Sequence, residues 1–77
     1  MQTMSSISLQ DVISRYPNGA YIPGRACYYF LDYDGDLGFF VELSNGRFED
    51  DVTYVNFDTV DEEERRKCRF IRAYLDY

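Results

Sequence analysis

Two aromatic-rich runs separated by Asp34-Gly35 constrain the fold of this chain more than any other feature. The first run covers residues 26–33 and the second covers residues 36–43. Asp-Gly between two such runs is typical of a two-residue β-hairpin turn. In this predicted hairpin, Tyr33 pairs with Asp36, and apolar side chains alternate onto both faces. Since a sheet face in contact with water is normally polar, either helices cover both faces or one face meets a partner or a second copy.

A third strand is predicted after the hairpin. Asn45-Gly46 is a second hairpin signal, and the chain continues through Phe48 and residues 52–57. The acidic step Glu49-Asp50-Asp51 lies between them and indicates a bulge or a break. The sequence therefore predicts a three-stranded antiparallel meander. The register set by the first turn assigns Tyr28, Phe30, Leu37, Phe39 and Val41 to one face, and Cys27, Tyr29, Leu31, Tyr33 and Phe40 to the other.

One helix is predicted on each side of the meander in the sequence. Ser8 can cap a short N-terminal helix, because Asp11 lies three residues further on. Pro17-Asn18-Gly19 ends that helix. Asp58-Thr59 opens a long C-terminal helix, in which Thr59 and Glu62 have the spacing of a capping box.

These elements predict a small α+β domain. A short N-terminal helix, the three-stranded meander and a long C-terminal helix packed on the sheet fill residues 1–77, a length that suits one domain. We expect residues 1–7 to be frayed. Residues 20–22 are expected to form at most a short extended piece.

The composition excludes most catalytic sites. The chain has no histidine, which removes the usual general base and most zinc sites. Its glycines form no phosphate-binding pattern, so we expect no enzyme, no cofactor and no metal. Cys27 and Cys68 are expected to be buried free thiols. No run approaches the roughly 18 apolar residues of a membrane span and no export signal is recognisable, which favours a cytoplasmic protein without a membrane partner.

The negative charge is concentrated in one part of the chain. The net charge is −6, but residues 28–64 hold twelve acidic side chains against one basic side chain, Arg47. Residues 65–72 then contribute five basic side chains and no acidic ones. A strongly acidic region therefore precedes a basic helical segment. A potential of this kind attracts a basic partner and repels nucleic acid.

Two acidic clusters and nearby tyrosines are the candidate partner-binding residues. Carboxylates two apart on a strand lie about 6.6 Å apart, which is of the order of the spacing of phosphates in nucleic acid. A third cluster covers the helix entry at residues 58–64. The alternative is that these acids only keep an aromatic domain soluble. The predicted site consists of Asp32, Asp34, Asp36, Glu49, Asp50 and Asp51, with Tyr29, Tyr33 and Tyr54 as aromatic anchors.

Two further patterns permit other functions. Asp32, Asp34 and Asp36 have the spacing that begins a calcium-binding EF-hand loop, but the sixth and twelfth positions are leucines. These three residues therefore permit only a weak, incidental site for a divalent cation. On the C-terminal helix, the secondary interface is predicted at Arg65, Arg69 and Arg72, which either contact a protein, pair with acids of the same chain, or bind nucleic acid in a dimer.

In size, acidity and content of Tyr and Phe, the whole chain resembles small inhibitors encoded by phages and mobile elements. These include anti-CRISPR and anti-restriction proteins, some of which mimic DNA. The resemblance extends to composition and to no motif. It implies a non-enzymatic inhibitor that occupies the nucleic-acid-binding surface of a host defence complex or nuclease. The alternative is a small structural or regulatory subunit that self-associates, for example as a homodimer, through an exposed aromatic sheet face.

Overall fold

The N-terminal helix forms where local capping predicts it. In the computed structural model, which describes residues 5–76, helix α1 runs over Leu9–Arg15. The Ser8 hydroxyl accepts a hydrogen bond from the Asp11 N–H (3.1 Å), and the Asp11 carboxylate accepts one from the Ser8 N–H (3.4 Å). This reciprocal capping box confirms the predicted start of the helix.

The sheet has six strands rather than three. The strands are β1 (Ser6–Ser8), β2 (Ala20–Ile22), β3 (Cys27–Leu31), β4 (Leu37–Ser44), β5 (Arg47–Glu49) and β6 (Thr53–Tyr54). Their spatial order is β1-β5-β4-β3-β2, and β6 also pairs with β4. Every pairing is antiparallel.

Both outer strands differ from the sequence-based expectations. Residues 20–22, expected to be a short extended piece, form β2 and pair with β3. Residues 6–8 pair with β5 as β1, so the predicted fraying of residues 1–7 is wrong for Ser6 and Ile7, while residues 1–4 lie outside the described residues. Each of these strands has only three residues, which is too short for a recognisable alternation of apolar and polar side chains.

The β3–β4 connection has a different register from the predicted one. Leu31 pairs with Leu37, so residues 32–36 form a five-residue loop instead of the two-residue Asp34-Gly35 turn. The change arises because the Asp32 carboxylate accepts hydrogen bonds from two N–H groups of the loop and stabilises the longer connection. A shift of one residue moves every side chain of β4 to the opposite face. The predicted division of the hairpin residues between the two faces is therefore wrong.

Each face of the sheet carries its own apolar core, and a helix covers each one. The first core, beneath α1, contains Ile7, Val12, Tyr28, Phe30, Phe40 and Phe48. The second core, beneath helix α2 (Glu62–Leu75), contains Cys27, Tyr29, Leu37 and Cys68. Both cysteines are buried free thiols, as predicted. Helix α1 packs on one face of the central sheet and α2 packs on the other.

The predicted interruption of the third strand is confirmed. Phe48 in β5 pairs with Glu42, and Tyr54 in β6 pairs with Gly38, both along the edge of β4 that lies away from β3. Between them the chain leaves this edge at the acidic step, residues 49–51. The break turns one predicted strand into two short ones.

Helix α2 begins later than predicted. Asp61, and not Thr59, caps it by accepting a hydrogen bond from the Glu64 N–H at 2.8 Å. Residues before it form a turn closed by Asn56, whose backbone carbonyl accepts a hydrogen bond from the Thr59 hydroxyl. Cys68 faces the sheet and is fully buried. Within residues 5–76, neither helix has the length and apolarity needed to cross a bilayer.

Candidate functional site: an acidic loop beside an aromatic groove

The loop between β3 and β4, residues 32–36, holds three carboxylates close together. We call it the acidic loop. Asp32 Oδ1 accepts hydrogen bonds from the N–H groups of Asp34 and Asp36, each at 2.9 Å. Two backbone bonds, from Asp32 N–H to Asp36 O (3.1 Å) and from Gly35 N–H to Asp32 O (3.0 Å), complete the loop. One oxygen from each of the three carboxylates lies within 4.8 Å of the others. The loop therefore presents three negative charges in a defined arrangement.

A groove with aromatic walls lies beside the acidic loop. The cavity has a volume of about 600 Å³ and lies between the end of α1 and the acidic loop. The Tyr16 and Phe30 rings stack with their centroids 3.8 Å apart, and Tyr54 meets Phe30 edge to face at 6.3 Å. Tyr33 is fully exposed, and Tyr54 is 49% exposed. We call this cavity the aromatic groove, and it is lined by Arg15, Tyr16, Pro17, Asn18, Phe30, Leu31, Asp32, Tyr33, Asp34 and Tyr54.

The electrostatics of the aromatic groove are dominated by its carboxylates. Partial burial and the charge of the Asp32 carboxylate raise the pKa of the Tyr54 hydroxyl. Arg15, which lines the groove at the end of α1, forms an ion pair with Asp50 at 2.8 Å. Hydrogen bonding to that carboxylate raises the pKa of the Arg15 guanidinium. Since the positive charge of Arg15 is paired with Asp50, the carboxylates of Asp32 and Asp34 leave the groove net negative.

The two predicted acidic clusters are linked through this groove. Asp50 belongs to the acidic step and binds Arg15, which lines the groove that the acidic loop borders. Glu49 lies in β5 opposite Ser6, and Asp51 is exposed. The acidic step is therefore joined to the aromatic groove by one ion pair. The acidic loop borders the groove directly.

Tyr29 does not belong to this surface. Its side chain is only 2% exposed and lies in the core beneath α2. Its hydroxyl accepts a hydrogen bond from Arg25 Nε at 2.7 Å, and Arg25 also pairs with Glu64 of α2. The prediction that Tyr29 anchors a partner is wrong, because α2 covers its face of the sheet. Tyr33 and Tyr54, by contrast, both line the groove.

Two arginines of α2, Arg65 and Arg72, make contacts within the chain. Arg65 donates to the carbonyl oxygens of Phe57 (2.8 Å) and Val60 (3.0 Å) and pairs with Glu62 (2.7 Å). The Arg72 guanidinium lies over the Phe57 ring, 5.7 Å from its centroid. A Cβ built on Gly35 of the acidic loop would lie 3.8 Å from Arg72 Nη2. Arg69 is exposed. For Arg65 and Arg72, the structure favours the hypothesis of contacts within the chain.

Sequence reasoning missed six residues that line the aromatic groove: Arg15, Tyr16, Pro17, Asn18, Phe30 and Leu31. The end of α1 and the acidic loop are far apart in the sequence, and no local pattern indicates that they meet. Tyr16 and Phe30 were recognisable only as core candidates. The signal that could have found them is the clustering of aromatic residues around the β3–β4 connection.

The acidic loop could also supply ligands to a cation. Asp32, Asp34 and Asp36 each offer one oxygen within the 4.8 Å cluster. Calcium takes about six to eight oxygen ligands, so these three oxygens would meet at most half of that requirement. We assign no metal to the loop.

Comparison of the chain with protein-family models, with curated proteins and with solved structures found no match. The geometry of the site therefore carries the functional argument alone.

Proposed function

We propose that this protein is a non-enzymatic, acidic interaction module. In the most specific form of the proposal, it inhibits a nucleic-acid-binding host protein, such as a defence complex or a nuclease, by occupying its basic surface. The observation that carries the proposal is the clustering of the acidic-loop carboxylates within 4.8 Å beside exposed tyrosines. A basic groove that holds a phosphate chain would meet a comparable density of negative charge.

The construction of the acidic loop supports this role. Asp32 and the loop backbone form four hydrogen bonds that fix the Asp32 carboxylate and the backbone carrying Asp34 and Asp36 before any partner arrives. A preorganised surface loses less conformational entropy on binding than a mobile one. Asp34 and Asp36 are exposed and can reach a partner. Charges at such positions steer encounter and select a basic partner.

The test removes exposed charge from the loop without removing the residue that organises it. The double variant Asp34→Asn/Asp36→Asn keeps Asp32 in place. The matched control, Asp58→Asn/Glu63→Gln, lowers the net negative charge equally at the entry to α2. Both variants are compared with the unchanged protein in competition assays. These measure DNA binding by a panel of purified CRISPR effector complexes and restriction endonucleases.

We expect the unchanged protein to displace DNA from at least one member of the panel. Its affinity should fall as salt increases, because salt screens exposed charges. The loop variant should lose at least ten-fold in affinity for that member, and the control should change by less than three-fold. Equal losses in the two variants would refute the role of the loop. No displacement from any member would refute the inhibitor form of the proposal.

Self-association is the second candidate function, and the exposed rings of α2 support it. Phe70 and Tyr74 lie one helical turn apart and are 72% and 67% exposed. Exposed apolar patches of this kind often mark interfaces. Multi-angle light scattering over a concentration series should show a dimer that the variant Phe70→Ser/Tyr74→Ser disrupts. A monomer at every concentration would refute this candidate.

A further inference from the structure

The walls of the aromatic groove suit a cationic group. Phe30 is only 1% exposed and stacks on the half-buried Tyr16, so the rings that a ligand can reach most fully are those of Tyr54, which is 49% exposed, and Tyr33, which is fully exposed at the groove margin. The faces of aromatic rings attract cations placed within about 6 Å of the ring centre. A fully exposed Tyr33 has its whole ring available for such a contact. The aromatic residues therefore provide more than apolar burial.

Charge complementarity selects the same class of ligand. Asp32 and Asp34 line the groove, and the cation that also lines it, Arg15, is paired with Asp50. A ligand entering between the acidic loop and α1 meets aromatic rings and carboxylates together. A neutral apolar group would interact favourably with the aromatic rings only. An anion would be repelled by the carboxylates.

We infer that the aromatic groove receives the side chain of a single arginine from the basic partner. A guanidinium is planar, so it can stack on a tyrosine ring while its N–H groups bind a carboxylate in a bidentate manner. A lysine ammonium is a compact and strongly hydrated charge, which gains less from a flat aromatic wall. The cavity of about 600 Å³ falls within the usual range of ligand pockets and is large enough for one such side chain. The inference rests on the proposed function, which makes the partner a basic protein.

The first experiment uses the full chain and short synthetic peptides, so it requires no natural partner. Amide and aromatic NMR resonances of the labelled protein are followed during titration with Ac-Gly-Arg-Gly-NH2. The same peptide with lysine or with neutral citrulline in place of arginine serves for comparison. We expect saturable shifts at Tyr33, Asp34 and Tyr54 with the arginine peptide and binding at least three-fold weaker with lysine. The citrulline peptide should produce no saturable shift, because it has the shape of arginine without its charge.

A pair of tyrosine variants tests the position of the site. Tyr33→Ala removes an exposed groove ring, and Tyr74→Ala removes an exposed ring on α2. The first should weaken arginine-peptide binding about two- to five-fold, which is the value of one exposed cation–π contact. The second should leave binding unchanged. Both residues are exposed, so both variants are expected to fold, and their amide spectra verify this.

The outcomes separate the two proposals. If arginine and lysine peptides bind equally and shift resonances over the whole acidic surface, the groove is not an arginine site, whether or not the protein displaces DNA from a partner. Unchanged affinity in Tyr33→Ala would also overturn the inference. If the arginine peptide binds in the groove but no panel member loses DNA, the arginine site stands and the inhibitor function fails.

Discussion

The hydroxyl of Tyr28 stabilises the turn after α1, residues 16–19, which forms one wall of the aromatic groove. The Tyr28 ring lies in the core with 3% exposure. Its hydroxyl donates a hydrogen bond to the carbonyl oxygen of Tyr16 at 2.6 Å and accepts one from the N–H of Gly19 at 3.2 Å. One oxygen atom therefore satisfies backbone groups on both sides of the turn after α1.

The substitution Tyr28→Phe removes this oxygen and keeps the ring. A backbone carbonyl and an N–H group then lose their partner in a partly buried place. At about 1–1.5 kcal/mol for each lost bond, the free energy of unfolding should fall by about 2–3 kcal/mol. A domain of this length is stable by roughly 4–12 kcal/mol, so the loss is a large fraction. The melting temperature should fall by about 10–20 °C.

Urea denaturation followed by circular dichroism measures this effect, with Tyr33→Phe as the matched control. Tyr33 is fully exposed, so loss of its hydroxyl should change stability by less than about 0.5 kcal/mol. The dependence of the unfolding free energy on urea should be the same for both variants, because the surface exposed on unfolding is the same. A loss below about 0.5 kcal/mol in Tyr28→Phe would refute the argument. Water would then be replacing the hydroxyl at no cost.

Three further predictions concern other parts of the chain. A Cβ at Gly19 would lie 2.4 Å from the Tyr29 carbonyl oxygen, so Gly19→Ala should destabilise the fold by about 1–3 kcal/mol in the same urea assay; an unchanged midpoint would contradict this. The Tyr21 hydroxyl lowers the pKa of Glu42 by hydrogen bonding to its carboxylate. This stabilisation is complete above the ordinary pKa of 4.5 and is lost as the pH falls through the lowered pKa. Tyr21→Phe should therefore flatten the dependence of the urea midpoint on pH in that acidic range, and an unaltered pH profile would be evidence against the contact. Burial raises the pKa of the Cys68 thiol from 9.0 to about 11. At pH 8 the folded protein should accordingly react with a thiol reagent about 100-fold more slowly at this site than the urea-unfolded chain, whereas equal rates would show that the thiol is accessible.

Features controlled by neighbouring residues could be predicted from the sequence. The capping box of Ser8 and Asp11 needs only the spacing of two side chains, and it forms as predicted. The interruption at residues 49–51 follows from three consecutive acids in a strand. The prediction placed the start of α2 at Thr59 because Thr59 and Asp61 are both good capping residues. In the structure, the Thr59 hydroxyl donates its hydrogen bond to the Asn56 carbonyl oxygen in the preceding turn. A choice between two local caps depends on contacts that the spacing does not specify.

Features that depend on distant contacts could not be predicted. The hairpin register depends on which backbone groups the Asp32 carboxylate binds, and the Asp-Gly signal alone favours a shorter turn. Strand β1 exists because β5 offers it an edge about 40 residues away. Tyr29 and Tyr33 are both tyrosines of the same hairpin, yet α2 covers only the first. The aromatic groove likewise arises where α1 approaches the acidic loop.

The shortness of the two outermost strands has a consequence for behaviour at high concentration. An exposed strand edge is a template on which another chain can add a strand, and a chain rich in Phe and Tyr would pair readily in this way. In the described part of this sheet, the outermost strands are β1 and β2, with three residues each, and Pro23 follows β2 directly. Each edge offers too few free backbone groups to seed edge-to-edge aggregation. The long aromatic strands, β3 and β4, lie inside the sheet, and each has strands paired along both of its edges.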